Sequence, residues 1–133
     1  MKNSVLLTIT SLVSIVFLIM HVTDDIARGI AKVGPSIHVL AFPVLALLLY
    51  GALVLGERRS GYIIQLVGAI IAWGMPAMHF RGARINDIAQ GSGGYFFIFT
   101  LLTLGVTGMF SFVLAVRGLW SLRRIDAAVV DGK

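Results

Sequence analysis

Long apolar runs alternate with short polar breaks along this chain. A helix needs about 20 apolar residues to cross the ~30 Å hydrocarbon layer of a bilayer. Four runs reach or approach that length, and they predict spans over residues 4–22, 37–55, 62–78 and 95–119. The first run, from Val5 through Met20, is apolar on all sides, as a helix sunk in lipid is and a one-sided soluble helix is not. The break Gly56-Glu57-Arg58-Arg59-Ser60-Gly61 is short and charged, so the runs on either side of it predict antiparallel neighbours. Two longer polar connections, 23–36 and 79–94, complete the pattern. The expected architecture is a single all-α membrane domain, a four-transmembrane-helix antiparallel bundle.

Local residues refine the spans. Thr8, Thr10, Ser11 and Ser14 put hydroxyls into the first run, where they can bond to their own helix's carbonyls or to a neighbouring helix. Gly34-Pro35 ends the first connection, with Pro suited to the first helical position. Pro43 removes a backbone donor and predicts a bend in the second span, and Pro76 predicts a disturbance just before His79. Gly68 and Ala72 are four apart, a small face that admits another helix closely. Gln65 is the only amide deep in a span and is expected to bond across to a neighbour. Trp73 and the aromatics Tyr95, Phe96, Phe97 and Phe99 read as interfacial side chains rather than as a cofactor box. Gly105 and Gly108 read as close-packing positions, and the tail from Ile125 to Lys133 as loose.

Composition agrees with the pattern. Of 133 residues, 58% are hydrophobic and 13% charged, which is too apolar for a soluble domain. There is no cysteine, so disulfides, thiolate metal sites and thiol catalysis are excluded. The net charge of +5 does not point to nucleic acid, because no basic stripe is interleaved with aromatics. The cations sit at the ends of apolar runs instead. Lys2, Arg58, Arg59, Arg117, Arg123, Arg124 and Lys133 fall on one side, and Arg28, Lys32, Arg81 and Arg84 on the other. That bias predicts both termini in the cytoplasm and both polar connections outside it. No small-x-small cleavage pattern follows the first run, which is therefore expected to be a retained span.

An internal repeat is also expected. Met20-His21 followed by Asp24-Asp25-Ile26-Ala27-Arg28-Gly29 resembles Met78-His79 followed by Asn86-Asp87-Ile88-Ala89-Gln90-Gly91, with four extra residues in the second copy. Four residues are about one helical turn, so the polar face is roughly kept. The two halves then read as tandem helix pairs.

His21-x-x-Asp24-Asp25-Ile26-x-Arg28-Gly29, the Gly56–Tyr62 turn, Gly105-Val106-Thr107-Gly108-Met109-Phe110-Ser111 and Arg117-Gly118-Leu119-Trp120-Ser121-Leu122-Arg123-Arg124 carry a resemblance. In these stretches the chain resembles a group of small uncharacterised bacterial four-span integral membrane proteins. The resemblance covers nearly the whole chain. It implies the cytoplasmic (inner) membrane of a bacterium and carries over no catalytic residue.

Candidate chemistry lies at one membrane face. His21, Asp24, Asp25 and Arg28 stand at i, i+3, i+4 and i+7, on one side of a helix. In the expected topology His38, His79 and Asp87 join them, so all three histidines and three of the six acids share that end. Imidazole and carboxylate suit zinc, copper or non-haem iron, and His21, Asp25, His38 and His79 are the expected metal ligands. A small polar ligand held by the same seven residues is the companion reading. A second class of function is a membrane-embedded enzyme using His/Asp acid–base chemistry on a lipid-like substrate. A third is a structural or accessory subunit of a larger membrane complex whose polar connections dock a partner; a homo-oligomer or larger complex is expected because the small-residue faces need partners. The plainer alternative is an Asp–Arg pair and interfacial histidines with no ligand. No acid sits near the middle of a span, which argues against proton-coupled transport. Within the Asp24–Asp25 pair, one carboxylate is expected to take Arg28, and Asp25 is expected to turn toward the histidines.

Overall fold

A computed structural model describes the backbone of residues 2–28, 35–81 and 93–131, and the side chains of 2–28, 39–80 and 93–124. The described residues form four helices and no strand: α1 (Asn3–Ala27), α2 (Pro35–Leu53), α3 (Arg59–Arg81) and α4 (Gly94–Asp131). Two helices outrun the expected spans. α1 continues past 22 to Ala27, because no Gly or Pro interrupts it before Gly29 and Thr23 bonds back to the Ile19 carbonyl at 2.7 Å. α4 continues past 119 to Asp131, because no helix breaker occurs until Gly132; the stretch expected to be loose is helical to that point. α2 and α3 run unbroken through Pro43 and Pro76.

Pairwise contacts fix the directions. Asn3 Nδ2 donates to the Leu114 carbonyl, Ser111 to Thr10, and His21 meets Thr100. As α1 advances α4 retreats, so the two are antiparallel. Gly118 lies on Tyr62, Gly108 on Ala72 and Trp73, and Gly105 on Pro76, which makes α3 and α4 antiparallel too. α1 and α3 therefore run in the same direction, with Ser11 beside Gln65 in the body of the bundle and His21 beside His79 nearer one end. The tight turn after α2 returns the chain beside itself, with Arg58 N–H donating to the Leu55 carbonyl at 2.8 Å. The result is an up-down-up-down bundle.

Three helices are long and apolar enough to cross a membrane, and α2 contains a shorter apolar helix, Val39–Leu53. The outer surface is apolar: Phe42 is 75% exposed and Met78 71%, with Val67, Leu102 and Val113 also outward. Such a surface is a liability in water and the ordinary state in lipid. Among hydrocarbon tails there is little hydrophobic drive between helices, so packing of small residues holds them together. Gly108 is the point where α4 meets the backbone of α3 most directly, because a Cβ there would lie 2.6 Å from the Trp73 backbone nitrogen. One core cluster joins Ile15, Leu18, Leu48, Ala72 and Leu104, and a second joins Leu7, Tyr62 and Ala115. The second copy of the expected repeat, Asn86–Gly91, lies outside the described residues.

Candidate functional site

The parallel course of α1 and α3 brings His21 and His79 together at one end of the bundle. Along α1, His21 lies ~27 Å beyond Asn3 at 1.5 Å per residue. A ~30 Å hydrocarbon layer that begins near Asn3 thus ends close to His21. Asp24, Asp25 and Arg28 continue the same helix past that level.

His21 is 1% exposed, although its ring is polar. Its Nδ1 is 3.2 Å from the Thr100 hydroxyl on α4. Thr100 donates its own proton to the Phe97 carbonyl at 2.9 Å, and a carbonyl only accepts. Thr100 must then accept from His21, so Nδ1 of His21 carries the hydrogen. The same reasoning applies to His79, whose Nδ1 lies 2.9 Å from the Met75 carbonyl one turn back on α3. Its Nδ1 is therefore the donor as well. Both assignments follow from the hydrogen-bond partners. In each neutral ring the lone pair is left on Nε2, the atom that ligates a metal when Nδ1 is held by a backbone or side-chain acceptor. His21 Nε2 is buried and has no hydrogen-bond partner among the described residues.

The two imidazoles are 4.9 Å apart between centres and nearly perpendicular, at 83°. Phe97 closes one side, 4.6 Å from His21 and 5.4 Å from His79. With a metal–nitrogen bond of ~2 Å and a ring centre ~1 Å behind the nitrogen, two imidazoles opposed on one ion have centres ~6 Å apart. At a right or tetrahedral angle the centres come to ~4.5–5 Å. The observed spacing matches the bent arrangement, and it is too short for a haem iron held between two opposed rings.

Arg28 Nε lies 2.9 Å from Asp24 Oδ2, with both side chains less than one-fifth exposed. The N–H does not point at the oxygen well enough for a hydrogen bond, so the contact is a charge pair. The same guanidinium lies against Gly93 at the start of α4. Gly93 has φ +80°, which favours glycine, and a Cβ there would displace the end of the Arg28 side chain.

Of the residues expected in the site, His21, His79, Asp24 and Arg28 are therefore placed at one end. The expectation that one aspartate takes Arg28 falls to Asp24. Asp25 is partly buried and its Oδ1 is shielded from solvent. The backbone of His38 begins α2 at the same end; its side chain and all of Asp87 lie outside the described residues. Among the described residues, no three His, Asp or Glu side chains gather as a metal shell. Sequence reasoning missed Thr100 and Phe97, the two residues that seat His21. Thr100 was one hydroxyl among several in an apolar run, with nothing local to mark it. Comparison with protein families, curated proteins and solved structures gives no match.

Proposed function

We propose that this is a small integral membrane protein of a bacterial cytoplasmic membrane, binding a transition metal ion through Nε2 of His21 and His79. The observation that supports this reading is the pairing of two histidines whose Nδ1 atoms are both committed to acceptors, at a spacing suited to adjacent positions on one ion. Asp24 and Asp25, one turn beyond His21, supply the carboxylates for the remaining positions; His38 and Asp87 are further candidate donors by residue type. Zinc and copper suit imidazole with carboxylate, and iron is the third choice. Positive-charge bias favours both termini in the cytoplasm, which puts the site on the outer side. A reporter active only in the cytoplasm should work when fused after Lys133 and stay silent when fused after Lys32.

The test is metal content after incubation with Zn2+ and desalting. One ion per chain is expected for the wild type and none for His79→Ala, which removes the less buried ring. Equal content in both proteins refutes the reading.

One observation favours a second reading, chemistry on a lipid-like substrate. A groove of about 220 Å3 runs between α1, α2 and α3, lined by Leu18, Val22, Leu40, Ala41, Val44, Leu45, Ile71 and Met75. Val22 adjoins His21 and Met75 holds His79, so an acyl chain in the groove would end beside the histidine pair. The lining itself has no titratable side chain, and the metal reading is preferred for that reason.

A further inference from the structure

A second polar cluster lies in the body of the bundle, away from the histidines. A cavity of about 20 Å3 is lined by Ser11, Ser14, Gln65 and Ser111 together with apolar and small residues of α1, α2 and α3. All four polar side chains are more than nine-tenths buried.

Their hydrogens can be traced one by one. Gln65 Nε2 lies 3.4 Å from the Gly51 carbonyl, which fixes the amide with its oxygen toward Ser11. That oxygen only accepts, so Ser11 donates to it at 2.9 Å. Ser14 donates to the Thr10 carbonyl at 3.0 Å. Thr10 donates to the Leu7 carbonyl at 3.1 Å, so its oxygen accepts from Ser111 at 3.0 Å. Every hydroxyl proton around the cavity is thus committed, and Ser11, Ser14 and Ser111 offer the cavity only lone pairs. A guest there must be a donor.

Size and charge narrow the choice. A space of this volume holds about one water. No carboxylate lines it, and Asp24 and Glu57 lie toward opposite ends of the bundle. An uncompensated cation in that low-dielectric setting is costly, whereas a neutral donor is not. We propose that the cavity is a single-water site in which the water donates to Ser14 Oγ and to one of the other two serine oxygens and accepts from the second N–H of Gln65. The water would tie α1, α3 and α4 together at mid-span.

The experiment is a structure in lipid at a resolution that shows ordered water, determined in sodium, potassium and choline chloride. One peak is expected, 2.7–3.2 Å from the serine oxygens, in all three salts. Ser14→Ala tests the assignment without disturbing other helices, since Ser14 donates only within α1; the peak should weaken or vanish. No peak in the wild type overturns the site. A peak that depends on sodium and has shorter contacts overturns the neutral guest in favour of a cation. A peak unchanged in Ser14→Ala overturns the role given to that serine.

Discussion

Gly108→Ala is the sharpest test of how the bundle holds together. The new Cβ would lie 2.6 Å from the Trp73 nitrogen and 3.0 Å from both the carbonyl carbon and the Cβ of Ala72. Two of these three atoms are backbone, so no side chain can swing away, and α3 must move off α4. Overpacking of this kind costs about 1–3 kcal/mol. The same change elsewhere is favourable, because alanine exceeds glycine in helix propensity by about 1 kcal/mol. Gly74 supplies the reference: it is on α3, and a Cβ there meets nothing within 4 Å. Gly74→Ala should therefore be neutral or slightly stabilising, and Gly108→Ala should fall below it by about 1–3 kcal/mol. The assay is SDS-driven unfolding in mixed micelles, followed by tryptophan fluorescence. Trp73 on α3 packs 5.8 Å from Phe112 on α4, so its emission reports this interface. Coincident unfolding curves for the two variants would refute the claim that close backbone contact at Gly108 holds α3 to α4.

Two further outcomes follow from the site. Thr100→Val keeps the shape but removes the acceptor of the His21 Nδ1 hydrogen at a residue with no exposure; in the same unfolding assay it should cost about 1–3 kcal/mol, the penalty for a buried donor left without a partner. Arg28→Gln breaks the charge pair with Asp24. Its geometry is imperfect and both groups keep some solvent, so the loss should be under about 1 kcal/mol and smaller still at high salt; a larger, salt-independent loss would show that the contact with Gly93 matters more than the charge.

The parts of this fold that could be read from sequence are those that lipid imposes. Runs of apolar residues between charged breaks announce four helices, because a bilayer leaves few other structures open to them. The charged turn at 56–61 announced a hairpin, and Gln65 was expected to reach a neighbour and does, bonding to Ser11. Asp24 and Arg28 pair because they are four apart on one helix, a relation that needs no tertiary information. What sequence could not supply is the meeting of α1 with α4. Thr100 and Phe97 are 79 and 76 residues from His21 in the chain, and no periodicity links them to it. α1 and α4 also run beyond the expected membrane spans, to Ala27 and Asp131. A helix leaving the membrane does not need to stop there. No Gly or Pro lies between Val22 and Ala27 or between Trp120 and Asp131, so nothing local interrupts either helix.

Whether the histidine pair binds a metal is tested most directly by electron paramagnetic resonance of protein loaded with one equivalent of Cu2+. Modulation of the spin echo counts the imidazoles bound to the ion. Two are expected in the wild type, and one at most in His79→Ala, while Gly74→Ala should keep both. A spectrum without imidazole coupling, or a count that His79→Ala leaves unchanged, would contradict a shared ion between His21 and His79.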